Sequence, residues 1–95
     1  MISENRKDDF MYSKEAIYKG ETGLYAGEIK KLMEEMKKYN CKNVWLEKNG
    51  KRASLTSLLA LMSLGVWNGE KIVFSAEGPE EELAVEGLCK YVESL

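Results

Sequence analysis

The sequence predicts an α+β two-layer sandwich, one sheet of four strands with three helices on a single face. Three observations lead there. Hydrophobic positions alternate between helical periods and short strand-like runs, in the order strand, helix, strand, strand, helix, strand, helix. Asn49-Gly50 stands between two such runs, and both residues tolerate positive φ, a strong hairpin signal. Residues 71–76, Lys-Ile-Val-Phe-Ser-Ala, carry the highest strand propensity in the chain.

Taken in order, residues 1–10 are polar and charged, with Phe10 their sole aromatic, and read as a flexible N-terminal extension. The folded domain is expected over 11–95. Within 11–19, Ile17 and Tyr18 suit a first strand, and 20–23 form a glycine-flanked turn. Over 26–39 the apolar residues Ile29, Leu32, Met33, Met36 and Tyr39 share one face of a helix at period 3.6. Lysines and glutamates fill the other face, and Glu34 and Lys38 are spaced for an i,i+4 pair. Residues 44–48 and 51–55 make the hairpin. Ser57 precedes Leu58-Leu59-Ala60-Leu61-Met62, where an N-cap belongs, and Gly65 follows Leu64, where a terminating glycine belongs. Gly78-Pro79 opens the last helix, with Pro79 in its first turn and Glu80, Glu81 and Glu82 at its positive end. Leu83, Val85, Leu88, Val92 and Leu95 offer its apolar surface.

Composition narrows the function. Ninety-five residues suit one domain, and 44% hydrophobic content is globular. Fourteen basic residues stand against 16 acidic ones, for a net charge of −2. That balance argues against direct nucleic-acid binding, which calls for a basic excess. No apolar run approaches the length of a membrane span, and MISENRKDDF lacks a signal-peptide core, so the expected location is cytoplasmic. Cys41 and Cys89 lie far apart in sequence and read as small hydrophobic filler. The chain contains no histidine. That removes the commonest metal ligand and the commonest general base at neutral pH, and no metal, cofactor or catalytic residue is expected.

The Asn49-Gly50-Lys51 hairpin, the run ending Leu61-Met62-Ser63-Leu64-Gly65-Val66 and the opening Gly78-Pro79-Glu80-Glu81-Glu82 together resemble HPr, the small phosphocarrier family of the bacterial phosphoenolpyruvate–sugar phosphotransferase system. The likeness covers about 11–95. It implies an open-faced βαββαβα sandwich with an antiparallel sheet. The family's carrier motif is Gly, an aliphatic residue, His, Ala, Arg, Pro; the matching residues here are Gly23-Leu24-Tyr25-Ala26-Gly27-Glu28. Tyr25 replaces the carrier histidine, Gly27 the phosphate-clamping arginine and Glu28 the proline. Phosphohistidine passes its phosphate onward, whereas a phosphotyrosine ester is a dead end. Arginine clamps phosphate oxygens through bidentate hydrogen bonds and glycine cannot. Glu28 repels an incoming phosphate. The carrier chemistry is therefore expected to be lost. Crh regulators, relatives of HPr without the carrier histidine, act through a regulatory serine, and this chain is similar in that respect.

The resemblance implies regulatory phosphorylation at Ser57 by an HPr kinase/phosphorylase, followed by docking of a LacI-type repressor in carbon catabolite control. Leu58, Leu59, Met62 and Trp67 would form the apolar part of the docking surface. A short helix cannot bury all of Leu58, Leu59, Leu61, Met62 and Leu64, so at least two are expected to be exposed. The plainer alternative is that Ser57 only caps its helix, for about 1 kcal/mol, and that the Leu/Met stripe is core. Ser54 and Thr56 are neighbouring hydroxyls open to the same modification. Tyr25 is expected to pack into the space of the lost site. Phosphocarrier activity and a constitutive interaction module are the rival functions, and a homodimer with an exchanged first strand is conceivable through the 20–23 turn.

Overall fold

The strands and helices follow the expected order, with bounds set by tertiary contacts. The computed structural model describes residues 11–41 and 43–95; the extension expected over 1–10 lies outside the described residues. The elements are β1 (Tyr12–Ile17), α1 (Ala26–Met36), β2 (Asn43–Lys48), β3 (Lys51–Ser54), α2 (Leu58–Leu64), β4 (Lys71–Glu77) and α3 (Glu81–Glu93). The four strands form one antiparallel sheet in the order β1-β4-β2-β3. The β2–β3 hairpin turns on Asn49 (φ 52°) and Gly50 (φ 81°), the left-handed pair that its sequence favours. Lys48 and Lys51 pair immediately before and after it.

Period-two alternation then decides the two faces of the sheet. Ala16, Val44, Leu46, Ala53, Ile72, Phe74 and Ala76 point inward and are buried. The register stacks them across strands, with Leu46 opposite both Phe74 and Ala53. The helices close this face with Ile29, Leu32, Leu61, Val85, Leu88 and Val92. The other face stays open. There the Arg52 guanidinium lies 4.3 Å from the centre of the Trp45 ring, and the Ser13 and Ser75 hydroxyls sit 3.0 Å apart.

α3 is bound to the edge strand β1 by polar contacts as well as packing. Glu86 accepts from the Tyr12 hydroxyl (2.6 Å) and the Lys14 ammonium (2.7 Å), and Glu93 accepts from the Ile17 backbone N–H (3.1 Å). The Lys14 contact first, then Tyr12, holds the Glu86 carboxyl below its ordinary pKa.

Several boundaries differ from the sequence expectation. β1 ends at Ile17; Tyr18 leaves the ladder, and its N–H donates to the Glu70 carbonyl (2.9 Å). α1 ends at Met36, because the N–H groups of Lys37, Lys38 and Tyr39 reach back three residues, the tightened turn that commonly closes a helix. The same tightening pairs Lys38 with Glu35 (2.9 Å) instead of Glu34, which pairs with Lys37 (3.2 Å). Pro79 precedes the last helix. Gly78 (φ 148°) and Pro79 make a turn that Glu81 secures by accepting from the Gly78 N–H (3.1 Å), and α3 begins only at Glu81. Its core face is Ala84, Val85, Leu88, Cys89 and Val92, spaced i, i+1, i+4, i+5, i+8. Leu83 is exposed because it falls off that stripe, and Leu95 because it lies beyond the end of the helix at Glu93.

Candidate functional site

The α2 end of the molecule carries the residues singled out above. The approach to the helix is ordered by hydroxyls: Ser54 Oγ accepts from the Thr56 N–H (3.1 Å) and lies 2.7 Å from Thr56 Oγ1, while the Ser57 N–H donates to the Ser54 carbonyl (3.0 Å). Ser57 holds extended backbone (φ −115°, ψ 102°), and its Oγ accepts from the Ala60 N–H (3.3 Å). It is a half-buried N-cap. At the other end Gly65 is left-handed (φ 65°), and its N–H donates to the Met62 carbonyl (3.3 Å). Lys48, reaching across from β2, donates to the Gly65 carbonyl and to Glu70 Oε1 (2.8 Å). Glu70 also accepts from the Trp67 N–H (2.8 Å). The Lys48 contact first, and the Trp67 N–H second, hold the Glu70 carboxyl below its ordinary pKa.

Leu61 anchors this helix in the core, fully buried. Leu58 and Leu64 are half-buried against the same core. Leu59 is 77% exposed and Met62 41% exposed. Leu58 thus contributes only an edge to the outer surface, and Leu59 and Met62 most of it. Trp67, 52% exposed, continues the patch beyond Gly65.

Across from it, Tyr25 occupies the N-cap position of α1 (φ −102°, ψ −175°), and its side chain caps no backbone N–H. Tyr25 does not fill a buried space as expected. It is 48% exposed, and its ring meets Trp67 edge to face, centroids 5.6 Å apart at 89°. The contact exists because the two loops are joined: the Leu24 N–H donates to the Val66 carbonyl (2.8 Å). Gly23 permits the approach, since a Cβ there would lie 3.2 Å from Trp67 Cε3, Tyr25 Cζ and the Val66 carbonyl. Gly27 faces open space, and Glu28 stands in the first turn of α1. Residue spacing carries no trace of the Tyr25–Trp67 contact, 42 positions apart in the chain.

Elsewhere the chemistry is quiet. Cys89 is buried, and burial pushes its thiol up to about 11, so it is a poor nucleophile at neutral pH. Cys41 donates to the Glu77 carbonyl (3.6 Å). Among the described residues there is no cluster of side chains able to hold a metal ion, and no helix is long and apolar enough to cross a membrane.

Comparison with known proteins places this geometry. Residues 12–94 match the family model described as the PTS HPr component phosphorylation site. The phosphocarrier protein HPr of Borreliella burgdorferi is 34% identical over 84 residues, spanning 88% of this chain and 96% of its own. The HPr-like protein Crh of Bacillus subtilis is 36% identical over 72 residues, spanning 76% of this chain and 84% of its own. The Crh crystal structure, described as a swapped, intertwined dimer, aligns with a TM-score of 0.69 at 36% identity, over 77% of this chain and 83% of that one. The crystal structure of Bacillus anthracis HPr aligns with a TM-score of 0.78 at 29% identity, over 86% of this chain and 96% of that one. Carriers and Crh-type proteins are therefore both among its relatives, and the chain belongs to the HPr family of the phosphotransferase system.

Proposed function

We propose that this protein is a cytoplasmic, non-carrier member of the HPr family that acts by regulation, in the manner of Crh. One observation carries the proposal: a chain with no histidine retains an HPr fold in which α2 still presents a capping serine beside exposed Leu59 and Met62. In this reading an HPr kinase/phosphorylase modifies Ser57. The phosphate adds a charge of roughly −1.5 to −2 at the edge of an apolar patch. A LacI-type repressor then docks on Leu58, Leu59, Met62 and Trp67, with basic side chains meeting the phosphate. A homodimer is compatible with this role, as the Bacillus subtilis Crh crystal is a dimer. Direct nucleic-acid and membrane contacts are not part of it.

The test is incubation with an HPr kinase and ATP, followed by mass spectrometric mapping. Phosphate on Ser57 is the expected result. An unmodified Ser57, under conditions that modify an ordinary HPr, overturns the proposal. Incubation with phosphoenolpyruvate and enzyme I addresses the carrier alternative, and no transferable label is expected.

A second reading has its own support. Ser57 Oγ is already engaged with the Ala60 N–H and is half-buried, as a purely structural cap would be. The protein would then be a constitutive interaction module. Recovery of the same partner in equal amount by Ser57→Ala and Ser57→Asp favours that reading; recovery by Ser57→Asp alone favours the phosphorylation switch.

A further inference from the structure

Trp67 continues the apolar patch of α2, yet it stands in the loop between α2 and β4, not on a helix. What holds that loop therefore decides where the ring points. On one side the loop is tied to residues 18–24 through backbone groups. The Leu24 N–H donates to the Val66 carbonyl (2.8 Å), the Gly69 N–H to the Tyr18 carbonyl (2.7 Å) and the Tyr18 N–H to the Glu70 carbonyl (2.9 Å). The Asn68 side-chain amide donates to the Gly20 carbonyl (2.8 Å). On the other side the tie is made by two side chains. The Lys48 ammonium, from β2, donates to the Gly65 carbonyl and to Glu70 Oε1 (2.8 Å). The same Glu70 oxygen accepts from the Trp67 N–H (2.8 Å). One ion pair thus grips the backbone on both sides of Val66.

Lys48 breaks the pattern of its own strand. Val44 and Leu46 point from β2 into the core, and Lys48 is next on that face, where an apolar side chain belongs. β2 is an interior strand of the sheet, so this charge does not serve to protect an edge. The Lys48 side chain is 14% exposed, whereas the lysines of the other ion pairs among the described residues are 48% to 69% exposed. An ammonium so covered has exchanged water for its two acceptors. Its position also answers a need of α2. That helix has no basic residue in its last turn, and Lys48 supplies from a strand the cation that commonly bonds the last carbonyls of a helix. Departures from local rules concentrate at functional positions. What this one holds is the segment that carries Trp67.

We propose that Lys48 and Glu70 are positioning residues for the docking surface. They fix the backbone on both sides of Val66, so that the Trp67 ring meets Tyr25 and the apolar surface of Leu59 and Met62 extends beyond Gly65. The proposal rests on the regulatory reading for what the surface does, and not for how Trp67 is held.

The test is proton NMR and fluorescence of the full chain with Trp45→Phe, which leaves Trp67 as its single tryptophan. Cross-peaks between the Tyr25 and Trp67 rings are expected. Lys48→Met, which keeps the stem and removes the ammonium, should lose them and move the Trp67 emission to longer wavelength. Glu70→Ala should do the same, and it keeps the test open should Lys48→Met fail to fold. Unchanged amide shifts in β1 and α3 show that a variant is folded. Glu86→Gln, which breaks the ion pair to Lys14 on β1, should leave both ring signals as they are. Cross-peaks that survive in folded Lys48→Met or Glu70→Ala overturn the proposal, since the bonds to 18–24 would then suffice to place Trp67. Their loss in folded Glu86→Gln overturns it too. In pull-downs with the Ser57→Asp protein, Lys48→Met should reduce partner recovery as Trp67→Ala does. Recovery insensitive to Trp67→Ala overturns the docking reading and leaves the positioning intact.

Discussion

Two helix N-termini of this molecule are built in opposite ways. At α2 a small hydroxyl caps the helix, with Ser57 Oγ on the Ala60 N–H and Ser54 and Thr56 ordering the approach. At α1 a tyrosine holds the cap position without capping, and its ring turns aside to Trp67. Glu28 then places negative charge in the first turn, which favours the helix dipole and disfavours any incoming anion. The difference teaches that one fold can close one helix start with a small capping hydroxyl while making another an aromatic contact surface. The start of α1 is joined instead to the far end of α2, through the Leu24–Val66 backbone hydrogen bond and the Tyr25–Trp67 ring contact, both made just beyond Gly65.

The most direct way to break the comparison is to remove the anchor beneath α2. Leu61 is fully buried, so Leu61→Ala should cost about 2–5 kcal/mol in denaturant unfolding. Leu59→Ala on the same helix should change stability by less than about 0.5 kcal/mol, because Leu59 projects outward. Equal costs at the two positions would mean that the inner and outer faces of α2 are wrongly assigned.

A smaller effect separates the two caps. Ser57→Ala should cost about 1 kcal/mol, and Ser57→Asp should recover most of it, since aspartate also caps. Tyr25→Ala removes no cap, and its cost should reside in Trp67. A double-mutant cycle on Tyr25 and Trp67 should give a coupling of about 0.5 kcal/mol, the low end for aromatic pairs because both rings are half exposed. A coupling of zero would leave Tyr25 without a structural role at this surface.

The smallest expected effect is on pH dependence. The folded protein holds Glu70 below its ordinary pKa, chiefly through Lys48. A carboxyl lowered on folding supports the native state above its unfolded pKa, about 4.3, and loses that support as pH falls through the folded value. Wild type should therefore melt higher than Glu70→Gln at neutral pH. The gap should narrow below about pH 4, as measured by thermal unfolding across pH. A gap that does not change with pH would assign Glu70 a packing role only.

Much of this architecture was legible in local pattern. Asn49-Gly50, Ser57 and Gly65 announce a turn, a cap and a helix stop because each residue type answers a backbone requirement within its own few positions. The strand propensity of 71–76 likewise announces β4. Exposure of at least two apolar residues on α2 also followed from its length, and Leu59 and Met62 are those residues. Less was legible where a boundary depends on what lies opposite. Pro79 suits a first helical turn, yet Glu80 exchanges hydrogen bonds with Asn40, donating its N–H to the Asn40 carbonyl and accepting from the Asn40 N–H at Oε1, and the helix starts later. Leu83 matches an apolar count but misses the stripe that β1 and β4 cover, and Leu95 lies past the point where the helix ends.

The sequence by itself determined the order of elements, the hairpin and both ends of α2. It also determined the loss of histidine chemistry, because composition is a property of the chain alone. Only the tertiary structure decided that Tyr25 meets Trp67 and that Lys48 reaches Gly65 and Glu70. The reason is physical. Local rules act through backbone dihedrals and neighbours within a helical turn, whereas these contacts join segments distant in sequence and exist only once sheet register and helix packing have brought them together.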